Sequence, residues 1–197
     1  GANYIINEDL FRNLDVYCNR VCRTPSDTTT SCPFVIAGVP GSGKTSLLAN
    51  WKARRKLNAP PPHNVEYDEF LFWHSIGCSR VSTQVTQLLR RLILSLTKHF
   101  ELKTPIDQFQ GKLSWALPHV LESASEKGCV VIILDGGLEN ICGKDADLGL
   151  SWIPSRLPPN VRLILSATVP QTKMIGGNSD YAAKHHCRIK KTWDSIN

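Results

Sequence analysis

Apolar positions along the chain follow two different periods, and the alternation between them predicts the architecture. From Ser82 onward, Val85, Leu88, Leu89, Leu92, Ile93 and Leu96 recur at helical spacing, so a helix capped by Ser82 is expected there. Leu113, Ala116, Leu117, Val120, Leu121 and Ala124 repeat the pattern, with Pro118 either kinking that helix or lying near its start. Asn7 to Val21 reads as a leading helix with Asn7 as cap, Glu8 and Asp9 in its first turn, and Leu10, Phe11, Leu14 and Val16 on its apolar side. Leu47, Leu48 and Trp51 mark a further helix that runs into basic residues near Lys56 and is stopped by the proline-rich Asn58 to Asn64.

Between these lie unbroken apolar runs rather than alternating ones. Phe34 to Ala37, Phe70 to Ile76, Cys129 to Leu134 and Val161 to Leu165 therefore read as strands, with Phe70 to Ile76 covered on both faces and Cys129 to Leu134 buried. Thr24 to Ser31 has no apolar residue and reads as a loop, and Trp152 to Asn160 reads as a surface connection. Strands interleaved with helices of this length predict an α/β fold.

The chemistry begins where the first strand meets the helix of Leu47. Gly38, Val39, Pro40, Gly41, Ser42, Gly43, Lys44, Thr45 and Ser46 contain G-x-x-x-x-G-K-[ST], the spacing of a phosphate-binding loop. Glycines let successive N–H groups turn inward as a nest for phosphate oxygens. Lys44 reaches the β and γ phosphates, Thr45 takes one magnesium position, and the helix aims its positive end at the same anion. Roughly ninety residues later, Asp135 ends the Cys129 to Leu134 strand, the place where an acid holds magnesium through water. Ser166 and Thr168 stand at the end of the last strand, as candidate sensors of the γ-phosphate. ATP or ADP with magnesium is the expected cofactor set.

Composition narrows the class. The chain of 197 residues is 42% hydrophobic and 20% charged, which describes one ordinary globular domain with no apolar stretch long enough to span a bilayer. No cleavable signal opens it, so it reads as cytosolic. A formal charge of +6 suits an anionic ligand, but Lys52, Arg54, Arg55, Lys56, Arg90 and Arg91 form no basic-aromatic ladder, so solvated helix faces are expected and nucleic acid is disfavoured as a partner. Seven irregularly spaced cysteines predict free thiols; Cys18 and Cys22 lack the second pair that a zinc site needs. His74, within an apolar run, reads as a core histidine.

Four segments together carry a resemblance: the phosphate loop, Phe72 to Ser79 followed by Ser82 and Thr83, Leu134 to Glu139, and Leu157 to Ser166. They resemble the NACHT-type NTPase domain of the STAND superfamily, in the form found in nephrocystin-like, tetratricopeptide-associated proteins. The likeness spans about residues 5 to 170, and the phosphate loop is its most specific part. It implies a three-layer P-loop NTPase with a mainly parallel sheet of about five strands, in the order 5-1-4-3-2, flanked by helices. It also implies a division into a leading helix and loop (1–32), an NTPase core (33–170) and a basic tail with a last strand (171–197), cut from a larger scaffold. In such proteins ATP occupancy drives self-oligomerisation and recruits protein partners, and a ciliary association goes with the nephrocystin-like form.

Two departures bear on turnover. The acidic strand of the family runs D-G-x-D-E, whereas this chain reads Asp135-Gly136-Gly137-Leu138-Glu139 and leaves Glu139 as the remaining catalytic candidate beside Asp135. Many relatives carry an arginine where this chain offers Ser166 and Thr168. Binding is therefore expected to outlast hydrolysis, in a regulatory switch that is at most a slow NTPase. The alternatives are a small-molecule or polynucleotide kinase, and a degenerate fold kept for protein contact. No N-K-x-D or L-S-G-G-Q segment occurs, which disfavours a GTPase and a transporter ATPase.

Overall fold

The computed structural model describes residues 8–19, 32–57, 68–103, 113–136, 152–154 and 156–168. Within them the chain runs α1 (Glu8–Cys18), β1 (Phe34–Gly38), α2 (Lys44–Leu57), β2 (Asp68–Ser75), α3 (Val85–His99), α4 (Leu113–Ser125), β3 (Gly128–Asp135) and β4 (Val161–Thr168). Four strands form one parallel sheet in the order β1-β4-β3-β2. The last strand to form in sequence thus lies between β1 and β3, as the resemblance implies. The tail of 171–197, where a fifth strand is expected, lies outside the described residues, as do Asn7 and Cys22.

Side-chain alternation along β3 sorts the core into two faces. Val130, Ile132 and Leu134 point to the α3 and α4 side, joined there by Phe72, Leu163 and Leu165. Val131 and Ile133 point the other way, with Ile36 and Ile164, against Phe11, Leu14, Leu47, Leu48 and Trp51 of α1 and α2. Both faces of β3 are covered, which is why its sequence is continuously apolar. Each such side chain, fully withdrawn from water, contributes about 1.5–3 kcal/mol to burial.

Several sequence expectations are corrected. Ser82 does not cap α3: Gln84 is the N-cap and makes no side-chain cap bond. Ser82 instead closes a turn with Ser79, accepting from the Ser79 N–H at 2.9 Å and donating to the Ser79 carbonyl at 2.8 Å. Its hydroxyl prefers this local backbone partner, and α3 is held by its six buried apolar residues rather than by a cap. Pro118 lies inside α4, where it removes the hydrogen bond to Ser114 while the core contacts of Ala116, Leu117 and Val120 keep the helix in place. The connection before β4 is more than surface: Trp152, Ile153 and Leu157 are buried in the α3–α4 core. Val16 is exposed rather than on the apolar side of α1. β2 runs from Asp68 to Ser75 instead of Phe70 to Ile76, and β4 continues to Thr168.

α1 is tied down by polar groups as well as by its apolar stripe. Arg162, 2% exposed within β4, donates from Nε to the Tyr17 carbonyl at 3.1 Å. That carbonyl is among the last four of α1, which lack a helical partner, so a cation there also complements the helix dipole. The Tyr17 hydroxyl lies 2.9 Å from the Cys32 carbonyl and accepts from the Leu163 N–H at 3.1 Å. On α2, Arg55 is not a solvated charge: its Nη2 meets Glu69 of β2 at 2.5 Å and Asn19 at 3.0 Å. Trp51 Nε1 donates to Asp15 at 2.8 Å. At the sheet edge, Arg91 of α3 donates to the Trp73 carbonyl and lies over the Phe72 ring, while Lys52 lies over Trp73 on the opposite face. Among the described residues no helix is long and apolar enough to cross a membrane.

Burial pushes the Tyr17 hydroxyl from its ordinary 10.0 up to about 12, and the Cys18 thiol from 9.0 up to about 12. Both groups are neutral in the fold and ionise first in the unfolded chain. Their stabilising contribution is therefore fully present below about pH 9 and is lost as pH rises toward about 12. Urea denaturation is expected to give a falling stability over that window. Tyr17→Phe should cost about 1 kcal/mol at neutral pH through its lost hydrogen bonds, and should make the decline above about pH 10 shallower.

Candidate functional site

The phosphate-loop residues fold as a tight turn between β1 and α2. Ser42 N–H bonds the Val39 carbonyl at 3.2 Å, and the first helical bond closes from Leu47 N–H to the Gly43 carbonyl at 2.8 Å. Gly41 and Gly43 have φ of +77° and +84°, angles that L side chains rarely adopt. At Gly38 the approach is close for a different reason: a Cβ there would stand 2.6 Å from Oγ of the exposed Ser42, which would have to rotate away. Lys44 folds back over the loop, its ammonium 2.9 Å from the Gly38 carbonyl and 3.0 Å from that of Val39. Thr45 and Ser46 are exposed in the first turn of α2, a turn that contains no acidic residue, so the positive end of the helix is not offset by its own side chains. Pro40 is exposed at the tip of the turn.

The register of the sheet places the acid beside this loop. Gly38 pairs with Thr168, Ile36 with Ser166, and Leu134 with Leu165. Asp135 therefore emerges at the same level as Ser166, two strands from β1 and about 10 Å across the sheet. This is the carboxyl edge of a parallel sheet, where ligands of open α/β folds bind. Asp135 is 2% exposed, and Ser166 Oγ donates to its Oδ1 at 2.9 Å. The same Ser166 oxygen accepts from the Gly136 N–H at 2.9 Å. Ile76 N–H, at the exit of β2, bonds the Asp135 carbonyl at 2.6 Å. Thr168 is half-buried opposite Gly38.

The structure thus brings the loop, Asp135, Ser166 and Thr168 to one edge of the sheet. Glu139 and Leu138 lie outside the described residues. His74 is buried on the α3 side, its Nε2 2.9 Å from the Ser82 carbonyl and its Nδ1 without a partner; burial holds its pKa below the usual value. Cys18, Cys32, Cys78 and Cys129 are free thiols. Sequence reasoning missed the Ser166 contact to Asp135, the closeness of Gly136 to Ile76 and the burial of Arg162. Only Arg162 left a trace, as a single charge inside an apolar run.

The donors present fit a magnesium nucleotide. Among the described residues no cluster of three His, Cys, Asp or Glu side chains could by itself hold a metal. Magnesium bound with a nucleotide needs less than that, because phosphate oxygens and water fill most of its octahedron and the protein supplies one or two oxygens. A cation-bearing loop, an exposed threonine hydroxyl and a carboxylate at one sheet edge meet that requirement.

Comparison with known proteins finds several that are similar over most of this chain. It is 29% identical to mouse (Mus musculus) nephrocystin-3 over 140 residues, covering 70% of this chain and 10% of that protein. It is 29% identical to mouse NACHT domain- and WD repeat-containing protein 1 over 147 residues, covering 71% of this chain and 9% of that one. A TPR repeat-containing protein of Dictyostelium discoideum is 22% identical over 219 residues, covering 83% of this chain and 13% of that protein. The chain therefore spans about a tenth of the length of the curated relatives it matches. No family model matches. Among solved structures, a chain from the Drosophila ORC–DNA complex aligns with a TM-score of 0.41 at 16% identity, over 85% of this chain and 38% of that one.

Gly136 offers a test of the edge geometry. Its φ is +103°, and a Cβ would stand 2.2 Å from the Ile76 carbonyl oxygen. Gly136→Ala is expected to destabilise the protein by about 1–3 kcal/mol through backbone strain alone, with displacement of the β2 exit adding to it. A melting temperature equal to that of the wild type would contradict this geometry.

Proposed function

We propose that the chain is an ATP- and ADP-binding regulatory domain of a larger scaffold or signalling protein, a switch of the NACHT type whose state is set by nucleotide and magnesium. The observation that carries this reading is the loop from Gly38 to Thr45: two glycines at positive φ, a lysine folded over the loop carbonyls, and a helix N-terminus free of acidic residues, all on the sheet edge that presents Asp135. In this reading the backbone N–H groups of Gly41 and Gly43 and the first turn of α2 hold the phosphates. Lys44 exchanges its carbonyl partners for phosphate oxygens, and Thr45 with Asp135 serves magnesium. The ion, when bound, neutralises charge on the β and γ oxygens. Thr168, opposite Gly38, is the better placed of the two sensor candidates, because the Ser166 hydroxyl is engaged with Asp135. Two of the relatives carry repeats in their names, which supports protein partners rather than a small substrate as the output.

Hydrolysis is slow in this reading, since Leu138 stands where the family has an acid and Glu139 alone remains. Calorimetry is expected to show magnesium-dependent binding of ATP and ADP by the wild type and none by Lys44→Ala. Equal affinities in the two proteins would rule the site out. Phosphate release by the isolated chain is expected below roughly 1 per second, the low end of dedicated enzymes. A faster rate would favour an enzyme proper over a switch.

A further inference from the structure

Ser166 is 1% exposed, and both capacities of its hydroxyl are directed. Its lone pair takes the Gly136 N–H at 2.9 Å, which leaves the hydroxyl proton aimed at Asp135 Oδ1, also at 2.9 Å. The turn beyond Asp135 is itself clamped, with Gly136 at φ +103° pressed against the Ile76 carbonyl and the Ile76 N–H on the Asp135 carbonyl. One oxygen of the carboxylate is thus pinned from β4, while its backbone is pinned from β2. A hydroxyl so placed is poorly suited to leave for a phosphate, because its departure would break both of these hydrogen bonds together.

From this geometry we infer that Ser166 is a positioning residue for Asp135, fixing the carboxylate rotamer so that its second oxygen is presented toward the magnesium of a bound nucleotide. The role rests on the nucleotide-binding reading above. It departs from a γ-phosphate sensor, because Ser166 acts through Asp135 and does not itself touch the nucleotide. Partners that orient a metal-side ligand in this manner commonly change metal affinity without changing the rest of the site.

The test uses the 197-residue chain, ATP as probe, and calorimetry with magnesium or with EDTA. The ratio of the two dissociation constants measures what the ion adds. In Ser166→Ala that ratio is expected to fall roughly 10- to 100-fold, with the EDTA value unchanged within about twofold. Ser166→Cys keeps the buried volume with only a weak donor, and gives the same loss should the alanine variant fail to fold. In an Asp135→Asn background, Ser166→Ala is expected to have no further effect on the ratio, because the two side chains act as a unit. An unchanged ratio in the Ser166 variants overturns the role and leaves nucleotide binding standing. So does an equal loss with and without magnesium, or additive losses in the double variant. Wild-type binding that magnesium does not strengthen removes Asp135 and Ser166 from the ion together. A wild type that binds no ATP in either condition overturns the functional reading, and this role with it.

Discussion

The burial of Asp135 is the constraint on which the carboxyl edge of the sheet depends. A carboxylate at the end of a strand that is otherwise apolar loses most of its hydration, and an uncompensated charge in such a place costs several kcal/mol. One contact meets the carboxylate itself, the Ser166 hydroxyl, and two backbone features hold the strand end in place around it. β4 brings the Ser166 hydroxyl, β2 brings the Ile76 N–H to the backbone carbonyl, and Gly136 turns the chain where a side chain would collide with β2. The parallel register holds the strand exits level, so the pairing of Ile36 with Ser166 is at once a feature of the fold and a feature of the site.

What could be read in the sequence follows the range of each interaction. The loop of Gly38 to Thr45 was legible because its chemistry is contained in consecutive residues, and β3 was legible because burial on both faces leaves an unbroken apolar run. The stripe of α3 was legible for the same reason, while its cap was not: Ser82 satisfies either a helix end or a turn, and only its spacing to Ser79 in space decides. Trp152 and Leu157 were misread as surface because prolines around them imitate a loop, although tertiary packing buries both. The Ser166 contact joins residues 31 positions apart and depends on register, which composition and periodicity do not encode. Glu139 and the tail lie outside the described residues, so the structure neither places nor corrects them.

The two faces of the sheet are finished differently. The α3–α4 side is almost wholly apolar, whereas the α1–α2 side adds a polar frame of Arg55, Glu69, Asp15, Trp51, Tyr17 and Arg162 around a smaller core. Buried or half-buried guanidinium groups of this kind are useful for fixing geometry more than for raw stability, because desolvation offsets much of their Coulomb gain. Their effect is to fix the seat of α1 against α2 and β4 at positions where apolar contact alone would permit sliding.

The treatment of β2 has a consequence for how copies of this domain can meet. β2 is the outermost described strand on its side, and an open strand margin is a template for pairing with another chain. Here the Trp73 carbonyl is already taken by Arg91, and Lys52 sits over the Trp73 ring on the opposite face, so two cations guard the same stretch. An incoming strand would have to displace a guanidinium and approach an ammonium while aligning its own backbone. Accretion of strand upon strand is thereby disfavoured at this margin.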